Sequence, residues 1–182
     1  MSTTKRIFIA GFGGQGILLI GQLLAYTAML EGREVSWMPA YGPEMRGGTA
    51  NCTVVISDKP IASPIVTSVD VLLAMNGSSL DKFTDMVVPG GTIIVNSGII
   101  SKKVERDDVH AIYVDCNRIA REELGNEKVA NVVMLGALIG SSEVVDLSLI
   151  EEVFKQNFKG GKAKLVELNL RAVNYWNDHL GD

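Results

Sequence analysis

The chain has 182 residues, a length that suits one domain with a full core. Apolar residues make up 47% and charged residues 21%, the balance of a folded globular protein and not of a disordered one. A net charge of −4 with no long basic run argues against nucleic acid as the main partner, and apolar stretches that are strand-sized or broken by polar residues argue against a membrane span.

Met1 to Arg6 leads straight into an apolar run with no signal-peptide cleavage region, so the cytoplasm is the expected compartment. Residues 6–10 read as a strand. Gly11-Phe12-Gly13-Gly14-Gln15-Gly16 follows, and then Ile17 opens an apolar segment with helical spacing. That order, strand to glycine turn to helix, is where a G-x-G-x-x-G turn binds phosphate. Glycines let the backbone turn sharply and approach a ligand, and the helix N-terminus offers free N–H groups. The same glycines equally serve close packing of a strand on its helix.

The first helix is expected over residues 15–31, with Ile17, Ile20, Leu24 and Ala28 on one face and Gly32 as its stop. Residues 34–38 form a short second strand, closed by Pro39. The stretch 40–48 is too rich in turn residues for helix or strand. Residues 49–56 make a β-branched third strand whose partial alternation leaves one face more exposed. Further strands are expected over 69–74, 92–95 and 111–114, with short helices over 78–86 and 117–124 and a turn at 89–91. Asn131 to Ile139 reads as a packed helix broken by Gly136. Leu147, Ile150, Phe154 and Phe158 share a further helical face, with Asp146 as N-cap. Gly160 and Gly161 break that helix, and a last one runs from about residue 163 to 179. Strands alternating with helices, several of the strands continuously apolar, indicate an α/β sheet covered on both faces. Ligands of such sheets sit beyond the C-terminal strand ends, where both glycine-rich loops are expected to line one crevice.

A nicotinamide dinucleotide needs an acid at the end of the second strand for the ribose hydroxyls. That strand ends Trp37-Met38-Pro39, with Glu31 and Glu34 at the wrong end, so the reading is disfavoured. The second loop, Tyr41-Gly42-Pro43-Glu44-Met45-Arg46-Gly47-Gly48-Thr49, is more distinctive. Gly47 and Gly48 free the backbone to present N–H groups. Arg46 offers a donor fork for phosphate or carboxylate, Glu44 can orient it, and Tyr41 can stack on a flat ring. A surface turn with a solvated ion pair is the plainer alternative. Cys52 and Cys116 are far apart and outside any C-x-x-C pair, which disfavours zinc or an iron–sulfur cluster held by this chain alone; both are expected as reduced, partly buried thiols. His110 and His179 are isolated, and Asn131, at a helix start, reads as a cap. No catalytic constellation is present in the sequence.

The glycine turn 11–16, the loop 41–49 and Asn131-Val132-Val133-Met134-Leu135-Gly136 stand in an order and spacing similar to those of the gamma subunit of 2-oxoacid:ferredoxin oxidoreductases, over nearly the whole chain. The Arg46-Gly47-Gly48-Thr49 form resembles the 2-oxoglutarate and branched-chain (2-oxoisovalerate) types; pyruvate types more often end that loop in an Arg-x-Gly-Ala-Pro-like way. The resemblance implies a single Rossmann-like domain over residues 1–182. It also implies a reaction shared among subunits: decarboxylation of a 2-oxoacid on thiamine diphosphate, acyl transfer to coenzyme A, and electrons leaving through iron–sulfur clusters to ferredoxin. Thiamine diphosphate and clusters then belong to the alpha and beta subunits and a ferredoxin-like subunit. This chain has no catalytic residue of its own and no metal. By motif position, Gly11, Gly13, Gly14, Gln15 and Gly16 form one cofactor-facing loop and Tyr41, Glu44, Arg46, Gly47, Gly48 and Thr49 the other, with coenzyme A as the ligand. In isolation the chain is expected to pair with itself. A free-standing dinucleotide-dependent dehydrogenase and a non-catalytic structural subunit are the competing readings.

Overall fold

A computed structural model of the protein describes residues 4–41, 48–158 and 165–179. Loop residues Gly42, Pro43, Glu44, Arg46 and Gly47, and the Gly160-Gly161 break, lie outside them. The strands are β1 (Thr4–Phe12), β2 (Glu34–Tyr41), β3 (Thr49–Ser57), β4 (Val69–Ala74), β5 (Val87–Asn96) and β6 (His110–Val114). They form one sheet in the order β2-β3-β1-β4-β5-β6. β1, β4, β5 and β6 pair in parallel, while β3 runs antiparallel to both β1 and β2. The sheet is therefore mixed and mostly parallel.

Alternation along β1 feeds two cores. Ile7 and Ile9 join the larger one, under α1 (Ile17–Leu30), α4 (Ala130–Ser142), α5 (Ile150–Asn157) and α6 (Leu165–His179). Phe8 and Ala10 join the smaller one on the opposite face, under α2 (Gly77–Phe83) and the chain around Ile100 and Val104. At the strand starts the Arg6 guanidinium grips the Asp70 carboxylate, with Nε 3.0 Å from Oδ2 and Nη2 3.2 Å from Oδ1, and so ties β1 to β4. α1 stops as expected: Gly32, at φ 75°, donates to the Met29 carbonyl, and Arg33 donates to that of Ala28. Asp146 caps the 3-10 turn at Leu147–Leu149 that leads into α5.

Several elements depart from expectation, each for a local reason. β2 does not close at Pro39 but continues to Tyr41; it is an edge strand, where a residue without an N–H is tolerated. β3 has no exposed face beyond Asn51, because it lies between β2 and β1 and under α1. β5 starts at Val87, ahead of the expected turn, and runs through Gly90 with a register irregularity against β4. After β6 the helix is not regular: α3 (Cys116–Arg118) passes into a π turn over Ile119–Glu123. Gly136 does not break α4. It is where α6 comes closest, and a Cβ there would lie 2.1 Å from the Val173 carbonyl oxygen.

Both cysteines are free and fully buried. Burial pushes each thiol up to about 12 from an ordinary 9.0. Neutral thiols are thus favoured by the fold. Their contribution is complete below pH 9 and is lost as pH rises from there through the folded-state value. We expect negligible reaction with an aromatic disulfide reagent at pH 8 in the native protein and rapid reaction of two thiols in denaturant; fast native labelling would contradict it. The helix contact gives a second expectation. Gly136→Ala meets rigid backbone and costs about 1–3 kcal/mol in denaturant unfolding. Gly140→Ala costs less, since its nearest atoms are side-chain atoms of Asn177 and Trp176 that can move.

Candidate functional site

The chain leaves β1 toward β2 and β3 on one side and resumes at β4 on the other. Beyond the strand ends at this reversal lies a crevice of about 270 Å³. Gly14, Gln15 and Gly16 form one wall and Met75 its floor. The far wall carries Asn96 from the end of β5, Asn117 from α3, and Glu127 and Lys128 from the 3-10 turn before α4, while Asn131, from the first turn of α4, adjoins Gly16.

The glycine turn is held by its one polar side chain. Gln15 Oε1 accepts from the Phe12 N–H at 2.7 Å, and its Nε2 donates to the Met75 carbonyl at 3.1 Å. The end of β1 is thereby stapled to the end of β4. Gly11 is buried beneath the staple, where a Cβ would fall 2.6 Å from Gln15 Oε1. Gly14 and Gly16 take positive φ, 98° and 75°. Gly16 has a second reason to be glycine: a Cβ there would lie 2.2 Å from Asn131 Nδ2. Asn131 is not a cap. The N-cap of α4 is Val129, and the Asn131 amide instead reaches the Gly16 carbonyl at 3.5 Å. The N–H groups of Gly14 and Gly16 have no hydrogen-bond partner among the described residues.

The two loops meet, but not in the crevice. Gly13 N–H donates to the Gly48 carbonyl at 2.8 Å, and Phe12 pairs with Thr49 across the β1–β3 ladder. Gly48 and Thr49 therefore sit on the β3 side of β1, where an apolar hollow of about 290 Å³, lined by Phe12, Gly13, Leu18, Leu19 and Ala50, shares Gly14 and Gly16 with the crevice. The backbone of Tyr41 pairs with Ala50. Glu44, Arg46 and Gly47 fall outside the described residues. Of the residues singled out in the sequence, Gly14, Gln15, Gly16 and Asn131 line the crevice. Asn96, Asn117, Glu127 and Lys128 were missed. Asn96 had a signal, since it is the polar end of an apolar strand; it is fully buried and donates to Asn117 Oδ1 at 2.9 Å. Asn117 and Lys128 had none, because irregular turns deliver them.

The sheet also removes the place of a dinucleotide's ribose. The strand beside β1 on that side is β3, antiparallel, and Thr49, Ala50 and Asn51 at its crevice end carry no acid. Among the described residues no three His, Cys, Asp or Glu gather as metal ligands, and no helix is long and apolar enough to cross a membrane. His110 and His179 are exposed; the His179 ring stacks on Tyr175.

Known proteins share this architecture and sequence. The family described as "Pyruvate ferredoxin/flavodoxin oxidoreductase" matches residues 6–175. The chain is 46% identical to the ketoisovalerate oxidoreductase subunit VorA of Methanothermobacter thermautotrophicus over 92% of its own length, but spans only 35% of that protein. It is 38% identical to the 2-oxoglutarate synthase subunit KorC of Methanocaldococcus jannaschii, covering 93% of this chain and 90% of that one. The solved gamma subunit of a keto/oxoacid ferredoxin oxidoreductase from Geobacter sulfurreducens superposes with a TM-score of 0.79 at 30% identity, over 93% of this chain and 94% of that one. With a shared sequence from β1 to α6 and a shared fold, the chain belongs to the pyruvate ferredoxin/flavodoxin oxidoreductase family, among its gamma subunits.

Proposed function

We propose that this chain is the gamma subunit of a complex that oxidatively decarboxylates a branched-chain 2-oxoacid or 2-oxoglutarate to the acyl-coenzyme A, with ferredoxin as electron acceptor. The observation that carries the reading is the similarity to VorA and KorC over more than nine-tenths of this chain, joined to the Arg46-Gly47-Gly48-Thr49 ending of the second loop. Thiamine diphosphate and the iron–sulfur clusters are then held by alpha, beta and ferredoxin-like subunits. The residues here do not fit a cluster: Cys52 and Cys116 are buried, and burial opposes the thiolate that ligation needs. Two free thiols agree with a reducing, cytoplasmic compartment.

Coenzyme A fits the chain better. The glycine turn presents free N–H groups, and Arg46 beside Gly47 and Gly48 would add a charged fork for a phosphate. The chemistry coenzyme A supplies is acceptance of the acyl group on its thiol; the part of this chain is to bind and orient it. Exposed Tyr26, Met29 and Leu30 on α1, with Trp37 on the α1 side of the edge strand β2, support a face that partner subunits cover.

Co-purification with thiamine-binding and ferredoxin-like chains from the source cells is the expected result, and a stable lone chain that binds NADH would overturn the reading. In the assembled complex, Arg46→Ala should weaken coenzyme A binding by about tenfold or more, the worth of a charged hydrogen bond; unchanged affinity would remove Arg46 from the site. Alone at high concentration the chain should scatter light as a dimer, and a strict monomer would count against self-pairing through the apolar face.

A further inference from the structure

β2 ends the sheet on one side, and no described strand pairs with its outer edge. The ladder register says which backbone groups that edge presents. Gly13 N–H donates to the Gly48 carbonyl at 2.8 Å, and these residues stand opposite one another where the β1–β3 register continues. Hydrogen-bonded pairs alternate along an antiparallel ladder, so the even-numbered residues of β3 aim their N–H and C=O at β1. Its odd-numbered residues aim at β2, where they meet Glu34, Ser36, Met38 and Ala40. Val35, Trp37, Pro39 and Tyr41 therefore turn their backbone groups outward. Pro39 fits this independently, since a residue without an N–H belongs where the donor faces away from the sheet. The Arg33 N–H is spent on the Ala28 carbonyl. Between Arg33 and Pro39, Val35 and Trp37 present an unbroken run of donors and acceptors that no described residue meets.

The usual guards of a strand edge are weak here. Glu34 is the one charged residue of β2, its register on β3 has no bulge, and Trp37 and Met38 are exposed. We propose that β2 pairs antiparallel with β2 of a second copy, about a two-fold axis between the two Ser36 residues, and joins two six-stranded sheets into one. In this register Val35 and Trp37 of each copy exchange hydrogen bonds with Trp37 and Val35 of the other, and Pro39 falls beyond the ladder. A two-fold at Trp37 or Met38 sets Pro39 opposite Val35 or Trp37 and leaves a carbonyl without a donor. A two-fold at Val35 sets the Trp37 carbonyl against the spent N–H of Arg33. The side chains match as well. Trp37 lies on the α1 side, where a Cβ at Gly21 would fall 2.9 Å from its Nε1, so each Trp37 packs beside Val35 of the other copy, an aromatic and β-branched pair. On the opposite side Ser36 meets Ser36 and Glu34 meets Met38, so no like charges are opposed. The two-fold stands perpendicular to the sheet and brings the second α1 to the same side. That helix exposes Tyr26, Met29 and Leu30 and carries no charged residue from Ile17 to Leu30. The inference rests on the self-pairing read above and gives it a surface and a register.

The test uses the full chain alone and reads the register by cross-linking. Facing Ser36 residues form a non-hydrogen-bonded pair, with Cα atoms about 4.5 Å apart, which is within reach of a disulfide. Ser36→Cys should therefore give a covalent dimer under mild oxidation. Met38→Cys is the control: it faces Glu34, and the two Met38 positions lie about 13 Å apart along the strands. The native thiols, both buried, do not compete. Ser36→Lys sets two ammonium groups side by side and should raise the concentration at which the chain dimerises in light scattering by about fivefold or more. Equal cross-linking of Ser36→Cys and Met38→Cys, or none by either, overturns the register even where scattering shows a dimer, and a dimer that Ser36→Lys leaves unchanged overturns the β2 edge. If Ser36→Lys unfolds, the cysteine comparison decides. A failure here leaves co-purification with thiamine-binding chains untouched, and a failure of that co-purification leaves the cross-link untouched.

Discussion

The crevice depends on one carboxamide. Gln15 satisfies the Phe12 N–H and the Met75 carbonyl, groups that belong to the ends of two neighbouring parallel strands. Each hydrogen bond contributes about 1 kcal/mol net, but an unmet buried group costs about 1–3 kcal/mol. The brace matters more for what it prevents than for what it adds. It consumes the Phe12 donor, while Gly13 donates to the Gly48 carbonyl and Gln15 to that of Phe12, so the N–H groups of Gly14 and Gly16 are those left among the described residues. Of the pattern's three glycines only Gly16 is left-handed; the other left-handed residue of the turn is Gly14, which the pattern does not require.

Around that brace the chain builds walls of differing stiffness. The near wall is fixed from behind: Gly16 cannot bear a side chain because Asn131 fills the space, and α4, which carries Asn131, is pinned by the backbone of α6 at Gly136. The far wall rests on a π turn and short 3-10 segments between β6 and α4. Irregular helical turns of this kind recur where side chains must be aimed at a ligand. Here they bring Asn117 and Lys128 to face the glycine turn from positions far along the chain.

Much of this was legible in the residues. The strands announced themselves as apolar runs and the glycine turn by its place between strand and helix. What escaped was set by tertiary neighbours. Nothing local says that residues 49–57 insert antiparallel between the first two strands, which buries their second face and lets Pro39 sit inside an edge strand. Asn131 has the position and residue type of a cap. Only the approach of Gly16 shows that it serves another turn. Gly136 looked like a helix breaker and is a helix contact.

The antiparallel insertion of β3 has a consequence of its own. Residues 42–49 join β2 to β3, and the pairing of Tyr41 with Ala50 fixes the two ends of that connection side by side. A connection between ends already held together tolerates changes in length cheaply, by about 0.6 kcal/mol per doubling for a flexible loop. The register of β2 on β3 is therefore set by the pairing of the strands and not by the length of the connection.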